Sequence, residues 1–292
     1  MSGSFPRAIY LEFVGKTKAF WKKLNAVGMT IAAALEPTIR QVEQSVEPVI
    51  TPLYVPKDLV GVPELIGTGV FLKIEDKVFI LTAAHVIEQF NQCPPLISHN
   101  DKFVPVPGES YRSKKPPSGT HAHDPIDASV LRIDGPIAER LRHRCLTLDD
   151  MYISNEAKIE AYTVVGFPIR EVEINEREYI HHPESLTLFS CREGEYKKLG
   201  TDRGVHILFD PGKKLISREG TADPPNMRGM SGGGVWIVPR AMGLEESHRL
   251  AGIFIEHRRA ERLMVATNVA IHLNLIAYYH PEFQIWGRSS GV

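Results

Sequence analysis

Three short stretches of this 292-residue chain carry side chains able to move protons or attack a carbonyl. In Leu81-Thr82-Ala83-Ala84-His85-Val86 an apolar run leads through two alanines into a histidine, and such small neighbours leave one imidazole edge accessible. In Asp127-Ala128-Ser129-Val130-Leu131-Arg132-Ile133 an aspartate opens what reads as a buried strand. A carboxylate there is costly unless it accepts hydrogen bonds or faces a cation, and an imidazole N–H is a suitable partner. In Gly229-Met230-Ser231-Gly232-Gly233-Gly234-Val235 a hydroxyl lies among glycines. Glycine permits a tight backbone path that can aim successive N–H groups at one point, as stabilising an oxyanion requires. Each stretch alone also has an ordinary reading: a histidine after a strand, a strand-opening surface aspartate, a glycine turn. The third is the most specific, because no phosphate-loop lysine accompanies its glycines.

The elements around these stretches are mostly short and β-like. The candidates are Val49–Val55, Gly67–Ile74, Lys77–Thr82, Phe103–Val106, Ala128–Ile133, Lys158–Val165, Leu186–Cys191, Val205–Phe209, Val235–Val238, Leu250–Ile255 and Leu263–Thr267. Many short strands punctuated by Gly and Pro predict a sandwich or barrel rather than alternating βα units. The first forty-odd residues read instead as helical, with Ala19, Phe20, Leu24, Val27 and Ile31 at helical spacing. Pro37 interrupts that pattern, a second short helix runs from Thr38 to Val46, and a last helix, Val269 to Tyr279, is closed by Pro281. Ser110–Asp124 reads as a polar loop.

Taken together, the stretches resemble the chymotrypsin-like serine proteases, in particular their bacterial trypsin-like branch. Gly67-Thr68-Gly69-Val70-Phe71 followed by Leu81 to Val86 is similar to that family's first-barrel signature, which ends in the catalytic histidine. Asp127 and its strand resemble the catalytic-aspartate strand, Val165-Gly166-Phe167-Pro168 an early strand end of the second barrel, and Gly229 to Gly233 the nucleophile loop. Leu250-Ala251-Gly252-Ile253 resembles the strand that follows. The resemblance spans about residues 50–280 at motif density, and His, Asp and Ser occur in the chymotrypsin order. It implies an all-β fold of two six-stranded antiparallel β-barrels, with an N-terminal helical arm (1–47) and a C-terminal helix. The first barrel (48–150) would carry His85 and Asp127, and the second (151–292) Ser231. Ser231 would be the nucleophile, His85 the general base and then acid, and Asp127 the group that orients the imidazole. The N–H groups of Gly229 and Ser231 would form the oxyanion hole. Asp124 is the rival carboxylate, set aside because Asp127 directly abuts the apolar strand.

Departures from the family pattern bear on control and specificity. Met230 stands where zymogen-activated trypsins carry an acidic residue, so the chain is expected to need no N-terminal cleavage for a competent oxyanion hole. Pro225 falls at the position that often sets specificity and offers no charge; Glu256 is a candidate pocket residue whose default is a solvated rim. His121, His123 and Asp124, or His181 and His182, are weak metal-ligand candidates, and no metal or other cofactor is expected. The Arg258, Arg259 and Arg262 cluster reads by default as a solvated loop.

The expected partner is a protein or peptide substrate, with room for a regulatory protein. With 34 Lys and Arg against 35 Asp and Glu, bulk charge points to neither nucleic acid nor membrane. Three spaced cysteines, Cys93, Cys145 and Cys191, favour a reducing, cytoplasmic compartment. The apolar stretch Asn25 to Leu35 leaves a secreted or periplasmic location open. The competing reading is a catalytically silent protease fold that binds peptides or a partner protein.

Overall fold

A run such as Val78-Phe79-Ile80-Leu81 presents apolar side chains to both faces of a strand, so it is stable only between two packed layers. The computed structural model, which describes residues 31–56, 63–90, 93–100, 102–121, 124–153, 161–169, 183–189, 191, 193–210, 215–217, 220–222, 227–237, 248–258, 260–261 and 263–285, supplies those layers as two antiparallel sheets. The chain enters through helix α1 (Ile31–Val46) and builds the first sheet from β1 (Ile50–Val55), β2 (Glu64–Ile74), β3 (Lys77–Ala83), β4 (Leu96–His99), β5 (Lys102–Pro105), β6 (Gly108–Arg112) and β7 (Ala128–Ile133). Their spatial order is β5-β4-β1-β2-β3-β7-β6.

The second sheet comprises β8 (Ala161–Gly166), β9 (Glu184–Phe189), β10 (His206–Phe209), β11 (Leu215–Ser217), β12 (Gly220–Ala222), β13 (Gly234–Ile237), β14 (Leu250–Arg258) and β15 (Leu263–Asn268). Its order is β10-β15-β14-β13-β8-β9-β11-β12. Three short helices, α2 (Ala84–Glu88), α3 (Pro136–Leu141) and α4 (Glu193–Leu199), interrupt the strands, and α5 (Val269–Tyr279) follows β15. This all-β layout of two antiparallel sheets agrees with the chymotrypsin-type expectation.

Strand alternation divides the core. Phe79 and Leu81 point into a cluster that also holds Val165, Trp236, Ile253 and the α5 residues Leu273 and Ile276, which joins the two sheets. Val78 and Ile80, on the opposite face of the same strand, pack with Val86 and Leu131 in a second cluster, joined by Ile255 and Val265 of the second sheet. Each sheet is therefore held by apolar contacts with the other.

Among the described residues the sheets have seven and eight strands, not six each. The added strands are short hairpin and edge pieces whose sequences lack a strong apolar alternation. Gly108–Arg112, whose last three residues fall in the stretch that reads as polar loop, pairs only with β7 and buries only Tyr111. Pro37 does not divide the N-terminal helix, which runs unbroken from Ile31 to Val46. Proline removes one backbone donor, but its fixed φ is compatible with the helix, and the turns beyond it are anchored by buried Val42 and Val46. Glu43 Oε1 of the same helix accepts a hydrogen bond from Ser185 Oγ on β9, so the arm that leads into the first sheet leans on the second. Among the described residues, no helix is long and apolar enough to cross a membrane. Residues 1–30, most of the arm, lie outside the described set, as does the start of the predicted strand Lys158–Val165.

His272 of α5 is fully buried, and its Nε2–H donates to the Thr82 carbonyl at 3.1 Å, tying α5 to the strand that leads to His85. Burial pushes this imidazole down from an ordinary value of 6.5 to about 4. At neutral pH it is uncharged in both folded and unfolded chains. As pH falls below about 6.5 the unfolded chain takes up a proton that the folded chain refuses until about pH 4, so stability is lost across that window. A depression of this size corresponds to roughly 3 kcal/mol. Denaturant unfolding measured at successive pH values should show this decline, and His272→Gln should make it shallower; His206, also depressed by burial, keeps part of the slope.

Candidate active site

Register brings the first two candidate residues together. Strands β3 and β7 pair with Ala83 opposite Ala128, so His85, two residues past one strand end, meets Asp127, one residue before the other. Asp127 grips His85 at two points: Oδ1 accepts the backbone N–H of His85 at 2.8 Å and Oδ2 accepts from the ring Nδ1 at 2.5 Å. The Ala84 N–H adds a bond to the Asp127 carbonyl at 3.1 Å. An ionised carboxylate can only accept, so the ring proton sits on Nδ1 and Nε2 keeps its lone pair, the state a general base needs. The His85 side chain is 25% exposed and that of Asp127 only 6%. Burial pushes the Asp127 carboxyl above its ordinary value, against the opposing pull of its bonds from His85.

The Asp127 backbone occupies the left-handed region, φ 48°, where few residues other than glycine settle. Its approach is clamped on all sides. Ile126 N–H donates to Asp124 Oδ1 at 2.9 Å, Thr267 Oγ1 donates to the Ile126 carbonyl at 2.5 Å, and His206 Nε2 donates to the Pro125 carbonyl at 2.5 Å. The last two clamps come from the second sheet. Asp124 is thereby committed to structure. It also accepts from Ser113 Oγ and from His121 Nδ1 at 3.1 Å. Burial alone would raise its carboxyl, but these bonds outweigh burial and hold it below the ordinary value.

Ser231 approaches from the second sheet, at the end of a loop that leads into β13. Gly229 (φ 85°) and Gly232 (φ 88°) both have left-handed backbone, and a Cβ on Gly232 would lie 1.9 Å from the Thr68 carbonyl oxygen. This close approach is used. Thr68 N–H donates to the Ser231 carbonyl at 2.8 Å, and Thr68 Oγ1 donates to the Gly229 carbonyl at 2.8 Å while accepting Phe167 N–H at 2.9 Å. Thr82 Oγ1 in turn donates to the Thr68 carbonyl at 2.7 Å. Ile169 N–H holds the Arg228 carbonyl at 2.7 Å, and because the peptide is trans, the Gly229 N–H faces the opposite way. The Ser231 hydroxyl donates to the Ile255 carbonyl at 3.0 Å.

His85, Asp127 and Ser231 line one cleft of about 370 Å³, together with Asp124, Met227, Arg228, Phe254, Ile255, Glu256 and His257. Glu256 thus reaches the cleft wall, paired with Arg258 Nε at 2.5 Å. Pro225, His123, His181, His182, Arg259 and Arg262 lie outside the described residues. Among the described residues no three His, Cys, Asp or Glu side chains converge as metal ligands. The supporting roles of Thr68 and Thr82 were not read from the sequence, although both residues sit inside the two motifs quoted for the first barrel. Those of Ile255, His206 and Thr267 left no signal there: Ile255 supplies its own carbonyl to the Ser231 hydroxyl, and His206 and Thr267 donate to the backbone carbonyls of Pro125 and Ile126, far away in the chain.

No protein-family model matches the chain, and no curated protein matches it. Among solved structures it is similar to a zinc complex of kallikrein-related peptidase 10 (18% identity, TM-score 0.45, covering 80% of this chain and 96% of that one). It is likewise similar to the MamO protease domain from Magnetospirillum magneticum (11%, 0.43, 78% and 96%). The third is the inactive form of Rv3671c from M. tuberculosis, a serine-to-alanine mutant (17%, 0.44, 86% and 96%). At such identities and scores these likenesses assign neither a residue role nor an activity to this chain.

The Thr68 hydroxyl satisfies two buried backbone groups at once. Thr68→Val should therefore destabilise the protein by about 1–3 kcal/mol for each group left without a partner, read by denaturant unfolding, whereas Thr68→Ser should recover most of the loss.

Proposed function

We propose that the chain is a serine endopeptidase acting through His85, Asp127 and Ser231. The observation that carries this reading is the two-point grip of Asp127 on His85 in the cleft that Ser231 also lines. The grip leaves Nε2 as an available base. For reaction, the Ser231 hydroxyl turns from the Ile255 carbonyl towards Nε2, gives up its proton there, and Oγ bonds to the scissile carbonyl carbon. The developing oxyanion is held by the N–H groups of Gly229 and Ser231. As the C–N bond breaks, His85 returns the proton to the leaving amine, and water releases the acyl group by the reverse roles. We infer a peptide or protein substrate and the division into an arm (1–47), a first barrel (48–150) and a second barrel (151–292). The motifs favour the bacterial trypsin-like branch.

A catalytically silent peptide-binding module is the second reading, favoured by the resting direction of the Ser231 hydroxyl towards Ile255. A fluorophosphonate probe separates the two. On the proteolytic reading it labels the full-length protein at Ser231, Ser231→Ala abolishes labelling without altering the circular dichroism spectrum, and Asp127→Asn lowers turnover by about 10⁴. Asp124→Asn should act mainly on stability. An unlabelled but correctly folded wild-type protein would favour the silent module.

A further inference from the structure

Glu88 ends α2, one helical turn after His85 and on the same face. Its carboxylate is the anchor of the segment that leads to Asp127. Oε2 accepts the His121 backbone N–H at 2.9 Å and the Thr120 hydroxyl at 3.1 Å, and Oε1 pairs with Lys115 Nζ at 2.6 Å. From His121 the connection continues inward. Its ring Nδ1 donates to Asp124 Oδ2 at 3.1 Å, and its carbonyl accepts the Asp124 N–H at 2.9 Å. Asp124 Oδ1 then accepts the backbone N–H of Ile126, the residue before Asp127, at 2.9 Å. Asp127 closes on His85. His121 and Asp124 are buried, their side chains only 4% and 2% exposed, so the middle of this circuit is shielded from water.

We propose that Glu88 is a positioning residue for His85, closing a ring of hydrogen bonds that runs through Asp127, Asp124 and His121 back to the helix carrying His85. The inference rests on the proteolytic reading for its kinetic consequence, but its geometric content does not. A His–Asp pair built on two strand ends and a left-handed turn has several ways to slacken. The left-handed backbone of Asp127 persists only if its surroundings over-determine it. Glu88 ties the outer end of the 113–127 segment to the base itself, so displacement of that segment has to drag α2 with it. The charge on Glu88 is secure: Lys115 and the His121 N–H hold its carboxyl down at about 2. No atom of Glu88 lines the cleft, and it acts only through other groups.

The test uses the full chain and two readouts. The first is the downfield proton signal of the His85 Nδ1–H···Asp127 bond in nuclear magnetic resonance spectra. The second is the rate of Ser231 labelling by a fluorophosphonate, together with kcat and KM on a cleavable peptide. Glu88→Ala should broaden or abolish the proton signal and slow labelling by about tenfold or more, with the loss in kcat rather than KM. Glu88→Gln keeps an oxygen for His121 and Thr120 and should recover most of both. If Glu88→Ala does not fold, Glu88→Asp, which withdraws the carboxylate by one methylene, should give the same losses in smaller measure. A folded Glu88→Ala, or Glu88→Asp in its place, with an unchanged proton signal and unchanged labelling overturns the proposal. A wild-type protein that never labels, yet whose His85 signal responds to Glu88→Ala, overturns the proteolytic reading and leaves the positioning role standing.

Discussion

A carboxylate withdrawn from water next to an imidazole is the constraint around which the site is built. Asp127 loses nearly all of its solvent, a change that by itself favours the protonated acid. Two bonds from His85 oppose that change, one from the ring and one from the main chain. Because both come from one residue, carboxylate and imidazole are fixed in a single relative orientation and the ring cannot swing without breaking the pair. The left-handed backbone that aims Asp127 is held by donors from the second sheet, Thr267 and His206, as well as by Asp124. The first sheet carries the His–Asp pair, yet the second sheet sets its geometry.

The reverse dependence holds for Ser231, the proposed nucleophile. Ser231 belongs to the second sheet, but its carbonyl is bound by Thr68 N–H, a group of β2, and its loop presses so closely on β2 that only glycine fits at position 232. Thr68 and Thr82 extend the brace to β3, whose end delivers His85. The two sheets thus exchange supports across a seam already sealed by Phe79, Leu81, Trp236 and Ile253. Interiors of this kind are close-packed and do not deform smoothly, so His85 and the Ser231 loop keep a fixed separation. The freedom left at the cleft belongs to side chains.

How much of this was legible depends on the range of the interaction. Short apolar runs announced most of the central strands, because a strand buried on both faces needs an unbroken apolar sequence. Edge strands such as Gly108–Arg112 did not show, since one-sided pairing asks little of their side chains. His85, Asp127 and Ser231 stood out through their neighbours: alanines, an apolar strand and glycines. The choice of Asp127 over Asp124 could be argued from its position beside that strand, whereas the task of Asp124 could not, because Ser113 reaches it only through the fold and its neighbour His121 read as a candidate metal ligand rather than a donor. Pro37 misled for a local reason, its effect on helix propensity having been overridden by the burial of Val42 and Val46.

The remaining degree of freedom is the Ser231 hydroxyl. Its bond to the Ile255 carbonyl is one neutral hydrogen bond, worth about 1 kcal/mol net, and a hydroxyl exchanges partners without moving the backbone. On the proposed reading, a peptide laid along the cleft would change the surroundings of Ile255, Glu256 and His257, which form its wall, and so the balance between Ile255 and Nε2 as acceptors. A ligand shifts such an equilibrium by its differential affinity for the two states and by no more; here about 1 kcal/mol suffices. Met230, buried beside the serine in the core of the second sheet, offers no charge that could tie this balance to the capture of a new ammonium group. On the proposed proteolytic reading, control at this site would therefore fall to whatever occupies the cleft, and the rigid seam between the sheets would confine it there.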